Sequence, residues 1–125
     1  MSRKENQAEE MYKMIKYYVD EDRQPLLDDY LVYKTDDLDI IVENVKTKES
    51  EKFNILSEAI IYIVDAVNKK TPLLKKIKRR IIGIFTLSED KTCDLYDLKD
   101  YAKTLHISER FNKTVTLHKK NNGVV

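Results

Sequence analysis

Apolar residues at Ala8, Met11, Tyr12, Ile15, Tyr18 and Val19 recur at three- and four-residue spacing, which predicts a helix from about Gln7 to Val19. Asp20, Glu21 and Asp22 then crowd negative charge at an end where the helix dipole disfavours it, and Pro25 follows, so the helix stops there. The stretch Leu26 to Tyr33 reads either as a short helix opened by Pro25 or as a strand at Tyr30 to Tyr33. Leu38, Ile41, Val42 and Val45 share a helical face behind Thr35 or Asp36, although Leu38, Ile40 and Val42 also alternate as a strand would. Helix is favoured.

The polar run Lys46 to Lys52 predicts a loop or helix start, and the chain from Phe53 to Val67 is almost wholly apolar. Asn54, Ser57, Glu58, Asp65 and Asn68 fall on one narrow stripe of a helix whose other sides are apolar. Such a helix is either the centre of the core or shared with a second copy, and Ile60, Ile63 and Val67 are the candidate dimer contacts. Thr71 and Pro72 open a further helix, with Leu74, Ile77, Ile81 and Phe85 inward and the basic run KKIKRR, Lys75 to Arg80, outward. Leu87 to Cys93 reads as a turn, in which Cys93 is expected to be dispensable. Asp94 then caps a helix carrying Leu95, Leu98, Ala102 and Leu105 on one face. A break at His106 and Ile107 precedes Ser108, the cap of a last helix with Phe111 and Val115 inward.

Charge changes this picture more than composition does. The net charge is only +1, yet residues 1–68 hold 9 Lys/Arg against 16 Asp/Glu, while residues 69–125 hold 14 against 6. The basic part is therefore suited to a polyanion and the acidic part to another task, unless the two attract each other. With 125 residues and 42% hydrophobic content the chain is large enough for a core. No apolar run is long enough to cross a bilayer or serve as a signal peptide, so a cytoplasmic protein with no membrane partner is expected. The single cysteine and two histidines make no metal-binding pattern, and no metal or cofactor is expected.

The residues DLKDYAKTLHISERFNKTVTLHKKNNGVV, from Asp97 to the end, follow the order of a helix-turn-helix pair. Leu98 and Ala102 lie on the first helix, Ile107 and Ser108 in the turn and Val115 in the second helix, with Gly123, Val124 and Val125 as helix end and strand start. Residues 74–125 thus resemble the winged helix-turn-helix units of bacterial and phage transcription regulators. His106 stands where glycine is commonest, Asn112 stands where an aliphatic residue is usual, and the wing is absent or reduced to one strand.

The resemblance implies a mainly α fold, with acidic helices in residues 1–70 serving dimerisation or an effector and residues 71–125 binding DNA. It implies a dimeric transcriptional regulator of phage or plasmid type, whose partner is double-stranded DNA. Ser108, Arg110, Asn112, Lys113 and Thr116 would then read bases. Lys75, Lys76, Arg79, Lys99, Lys103, Lys119, Lys120, Asn121 and Asn122 would hold the phosphate backbone. The alternative is a protein-interaction module or inhibitor acting through its acidic half on a basic surface. An enzyme is not expected: there is no glycine-rich phosphate loop, nucleophile elbow or His-Glu-x-x-His, and adjacent pairs such as Asp28–Asp29 point apart on a helix.

Overall fold

The computed structural model describes the backbone of residues 3–70 and 80–122, and side chains between residues 7 and 119 within those limits. The elements in order are α1 (Arg3–Asp20), β1 (Leu26–Leu27), β2 (Tyr30–Lys34), β3 (Ile40–Asn44), β4 (Ser50–Phe53), α2 (Leu56–Lys70), β5 (Ile81–Phe85), β6 (Asp90–Asp94) and α3 (Leu95–Asn122). The strands form one antiparallel sheet in the order β4-β3-β2-β1-β5-β6. The fold is therefore α+β, and the expectation of a mainly α chain is overturned.

The correction begins at β3. Its two-residue alternation buries Ile40 and Val42 and outcompetes the helical spacing through Leu38 and Ile41, because strands on both sides satisfy its backbone. Lys34↔Ile40 and Ile40↔Phe53 are registered partners, so the segment expected to be a polar loop ends as β4. Ile81 and Phe85, assigned to the inner face of a helix, instead open and close β5, and Asp90–Asp94 pairs with it as β6. The apolar run Ile81–Phe85 suits a strand packed on one face while its β-branched isoleucines favour the pleat. Thr71, Pro72 and Lys75 to Arg79 lie outside the described residues.

The three helices among the described residues pack on the sheet face that carries Leu27, Tyr30, Val32, Ile40, Val42, Ile82, Ile84 and Cys93. Helix α1 covers the β2 and β6 side, α2 covers β3 and β4, and α3 packs against both helices. The core joins Tyr12, Ile15 and Val19 of α1 to Ile60 and Ile63 of α2 and Leu95, Leu98 and Ala102 of α3. Ala102 is wholly buried, and its small side chain permits the close approach of neighbouring elements. Ile60 and Ile63 are fully buried in this core, and Val67, partly buried, packs against it.

Helix α3 runs unbroken through His106, Ile107 and Ser108, where a turn was expected. Asp94 does cap it, accepting from the backbone N–H of Tyr96 at 2.9 Å and Asp97 at 3.2 Å. Ser108 is no cap: its hydroxyl donates to the Leu105 carbonyl at 3.0 Å, within the helix. Phe111, expected inward, is 66% exposed, and Ile107 is 81% exposed. Neither His106 nor Ile107 breaks helical hydrogen bonding by itself, and α1 and α2 supply a continuous surface for α3 to lie on. The supposed strand start at Gly123, Val124 and Val125 lies outside the described residues.

Two side chains on the sheet generate tests. Cys93 is buried on the inner face, and burial, helped by Asp94 and Asp97, pushes its thiol up to about 12. Iodoacetamide should leave Cys93 unmodified in the native protein and alkylate it in urea, as read by mass spectrometry. Cys93→Ser, contrary to the expectation of a dispensable residue, should cost about 1–3 kcal/mol by burying a hydroxyl.

Asp28, at φ 51°, follows β1 and accepts the Gly83 N–H at 2.8 Å. Its carboxyl is raised above the ordinary value by burial, with the Gly83 bond opposing. The folded chain then holds this proton to a higher pH than the unfolded chain, so stability falls as pH rises between the two values. Asn tolerates the left-handed backbone and keeps the acceptor. Asp28→Asn should raise the melting temperature at pH 7 and give no gain below about pH 3, where both states are protonated.

Candidate functional site

The side chains expected to read bases lie along the second half of α3, and several are engaged with the acidic part of the chain. Arg110 reaches Glu58 of α2 at 2.6 Å, and His106 Nε2 lies 3.9 Å from the same carboxylate. Lys113, largely buried, pairs with Asp39 at 2.9 Å and donates to the Asn54 carbonyl, holding the Asp39 carboxyl below its ordinary range. The Thr116 hydroxyl donates to the Asn112 carbonyl one turn back. Lys99, expected at the DNA backbone, pairs with Asp65 at 2.6 Å. Lys103, Asn112 and Lys119 are exposed. Lys75, Lys76 and Arg79, and the side chains of Lys120, Asn121 and Asn122, lie outside the described residues.

Glu109 links this helix to both of the others. One carboxylate oxygen accepts the backbone N–H of Ser57, the second residue of α2, at 2.9 Å, and the other accepts the Tyr12 hydroxyl from α1. A carboxylate at a helix N-terminus satisfies an otherwise unpartnered N–H and meets the positive end of the dipole. Burial, with Glu109 adding to it, raises the Tyr12 phenol, which therefore stays protonated as the donor. Nothing local in the sequence marks Glu109 for this role, since its partners are 52 and 97 residues away.

Two surface features remain available for a ligand or partner. The first is the sheet face opposite the helices. Alternation places Leu31 and Tyr33 of β2, Ile41 of β3, Leu26 of β1, and Ile81 and Phe85 of β5 on that side. Leu31↔Leu26 and Leu26↔Phe85 are registered partners, which makes an apolar row across three strands. Glu43 continues the row on β3, and Asp90 continues it on β6. Gly83 belongs to this face, and the Phe85 ring lies over it: a Cβ there would stand 2.8 Å from the ring's Cζ. Ile81 and Phe85 are 39% and 37% exposed.

The second feature is a cleft of about 660 Å³ between the C-terminal half of α2 and the β3–β4 hairpin. Tyr30 and Tyr62 meet edge to face in it with ring centres 6.4 Å apart, and Lys70 lies 5.2 Å from the Tyr30 ring centre. Its mouth is charged on both sides, by Glu49 and Glu51 on the hairpin and by Lys69 and Lys70 on the helix. These residues were missed because the sequence puts the cleft's two sides in separate segments, and the outer sheet face was hidden by reading β3 and β5 as helices.

The clamp predicts a ranking. Glu109→Ala should lower stability by about 1–3 kcal/mol in urea titrations, because it strips the Ser57 N–H and the Tyr12 hydroxyl of their acceptor. Arg110→Ala, which removes a mostly exposed pair, should cost less than about 1 kcal/mol. Comparison of the chain with known protein families, curated proteins and solved structures gives no match.

Proposed function

We propose that this chain is a non-catalytic protein-interaction module whose contact surface is the outer face of the sheet and whose partner presents a basic amphipathic helix. The observation that carries the reading is the row Glu43–Leu31–Leu26–Phe85–Asp90 running across β3, β2, β1, β5 and β6. An antiparallel sheet facing water normally carries polar residues on its solvated side. Here the centre of that side is apolar and only its flanks are charged, the arrangement of an interface core with a polar rim.

The dimensions support a helix as occupant. Four strand spacings of about 4.8 Å separate β3 from β6, so the two carboxylates stand about 19 Å apart on the flanks. A helix with its side chains is about 10–12 Å across, which lets an apolar stripe seat on Leu31, Leu26 and Phe85 while Lys or Arg on either side reach Glu43 and Asp90. The same carboxylates disfavour a polyanion on this face.

A designed peptide of leucine and lysine, helical and with one apolar stripe, is the probe. By fluorescence anisotropy it should bind at micromolar concentration, and the same peptide with glutamate in place of lysine should not. Phe85→Ser should weaken binding at least tenfold, and Glu43→Lys with Asp90→Lys should abolish it while circular dichroism is unchanged. Equal binding of the lysine and glutamate peptides, or of the parent and the variants, would overturn the reading.

A further inference from the structure

The cleft between α2 and the β3–β4 hairpin has a chemistry of its own, independent of the sheet face. Its floor is apolar and aromatic, formed by Val42, Tyr30 and Tyr62. Phe53 backs Tyr62, with ring centres 5.1 Å apart, so the Tyr62 ring is held from behind. The volume lies within the usual range for small-molecule sites.

Its mouth carries Glu49 and Glu51 on the hairpin against Lys69 and Lys70 on α2, while Asp65 of α2, which also lines the cleft, is paired with Lys99 at 2.6 Å. The Tyr62 phenol is raised by burial and then by Glu51 and Glu49 from the hairpin, while Lys70 from the helix acts in the opposite direction. Tyr62 lines the cleft together with these hairpin and helix residues. Lys70 is fixed by the Tyr30 hydroxyl and ring, and Lys69 is its neighbour at the end of α2, where a cation is favoured by the dipole. Among the described residues no ion pair joins Glu49 or Glu51 to Lys69 or Lys70. Asn44 cannot collapse into the gap, since its side-chain oxygen accepts from the backbone N–H groups of Lys46 and Thr47 and pins the hairpin turn.

We infer that this cleft binds a small zwitterion of the amino-acid type, a free amino acid or short peptide. Its ammonium group would lie against Glu49, Glu51 and the face of Tyr62, and its carboxylate against Lys69. A protonated amine is recognised by a carboxylate beside an aromatic ring, and a carboxylate by a lysine ammonium. Opposite walls favour a ligand with both charges over one with either alone, because a single charge is drawn to one wall and repelled by the other.

The probe is triglycine with free termini, compared with its N-acetyl, C-amide and doubly capped forms, titrated into the full chain. Binding is read from intrinsic tyrosine fluorescence and from chemical-shift changes in the Tyr62 ring. The free peptide should bind, each single cap should weaken binding at least tenfold, and the doubly capped form should not bind at 10-fold higher concentration. Glu51→Gln should weaken the free peptide while leaving its N-acetyl form unchanged, and Lys69→Gln should do the same with the C-amide form. Both positions are exposed, so the fold is retained in the variants. Absence of saturable binding of free triglycine, or binding indifferent to the caps, would overturn the inference. So would shift changes confined to the outer sheet face, which would report on the interaction surface and not on the cleft.

Discussion

The structure depends on a two-residue strand. Leu26 and Leu27 pair with β2 on one side and with β5 on the other, and among the described residues no other strand joins the β2–β4 meander to the β5–β6 hairpin. Pro25 precedes this strand, and Asp28 follows it in a left-handed conformation. Asp28 still extends the pairing, since its N–H donates to the Gly83 carbonyl and its carboxylate accepts the Gly83 N–H, both at 2.8 Å. A short linker suffices because side-chain and backbone bonds lengthen it by a residue, and because Leu27 is wholly buried beneath it. The sheet and its core consequently combine elements from residues 3–70 with β5, β6 and α3.

That charge division has an internal outlet. Lys99, Arg110 and Lys113 of α3 each meet an acidic residue from the earlier part of the chain, at Asp65, Glu58 and Asp39. The pairs at the rim contribute little individually, whereas Lys113, sheltered and bonded also to the Asn54 carbonyl, and Glu109, at the start of α2, orient the helix. The basic and acidic parts of the sequence are in this respect complementary surfaces of one fold. The same contacts shelter Lys113, whereas Arg110 stays exposed beside Glu58.

With the three described helices on one side of the sheet, its two faces have unlike duties. The inner face is given to the core, and the outer face retains apolar side chains that the core does not use. The edges are less inviting: β4 ends the sheet with Glu51 and Lys52, and β6 ends it with Asp90 and Lys91, charges that discourage pairing with another strand. Face contact is therefore favoured over strand addition as the way this fold meets a partner.

The sequence by itself determined α1, α2 and the capped start of α3, because their apolar spacing and the Asp94 cap act within a few residues. It also placed Tyr12, Ile15, Leu98 and Ala102 on inward faces, which the core bears out. Only the tertiary structure decided β3 and β5, since short apolar runs satisfy helical and strand periodicity alike until neighbouring strands supply hydrogen bonds. It alone decided that α3 continues past His106, because the support for its second half comes from Tyr12, Asp39, Ser57 and Glu58, all distant in sequence. A periodicity records which way a side chain faces on an assumed element; which partner it meets there depends on loop closures that no local pattern encodes.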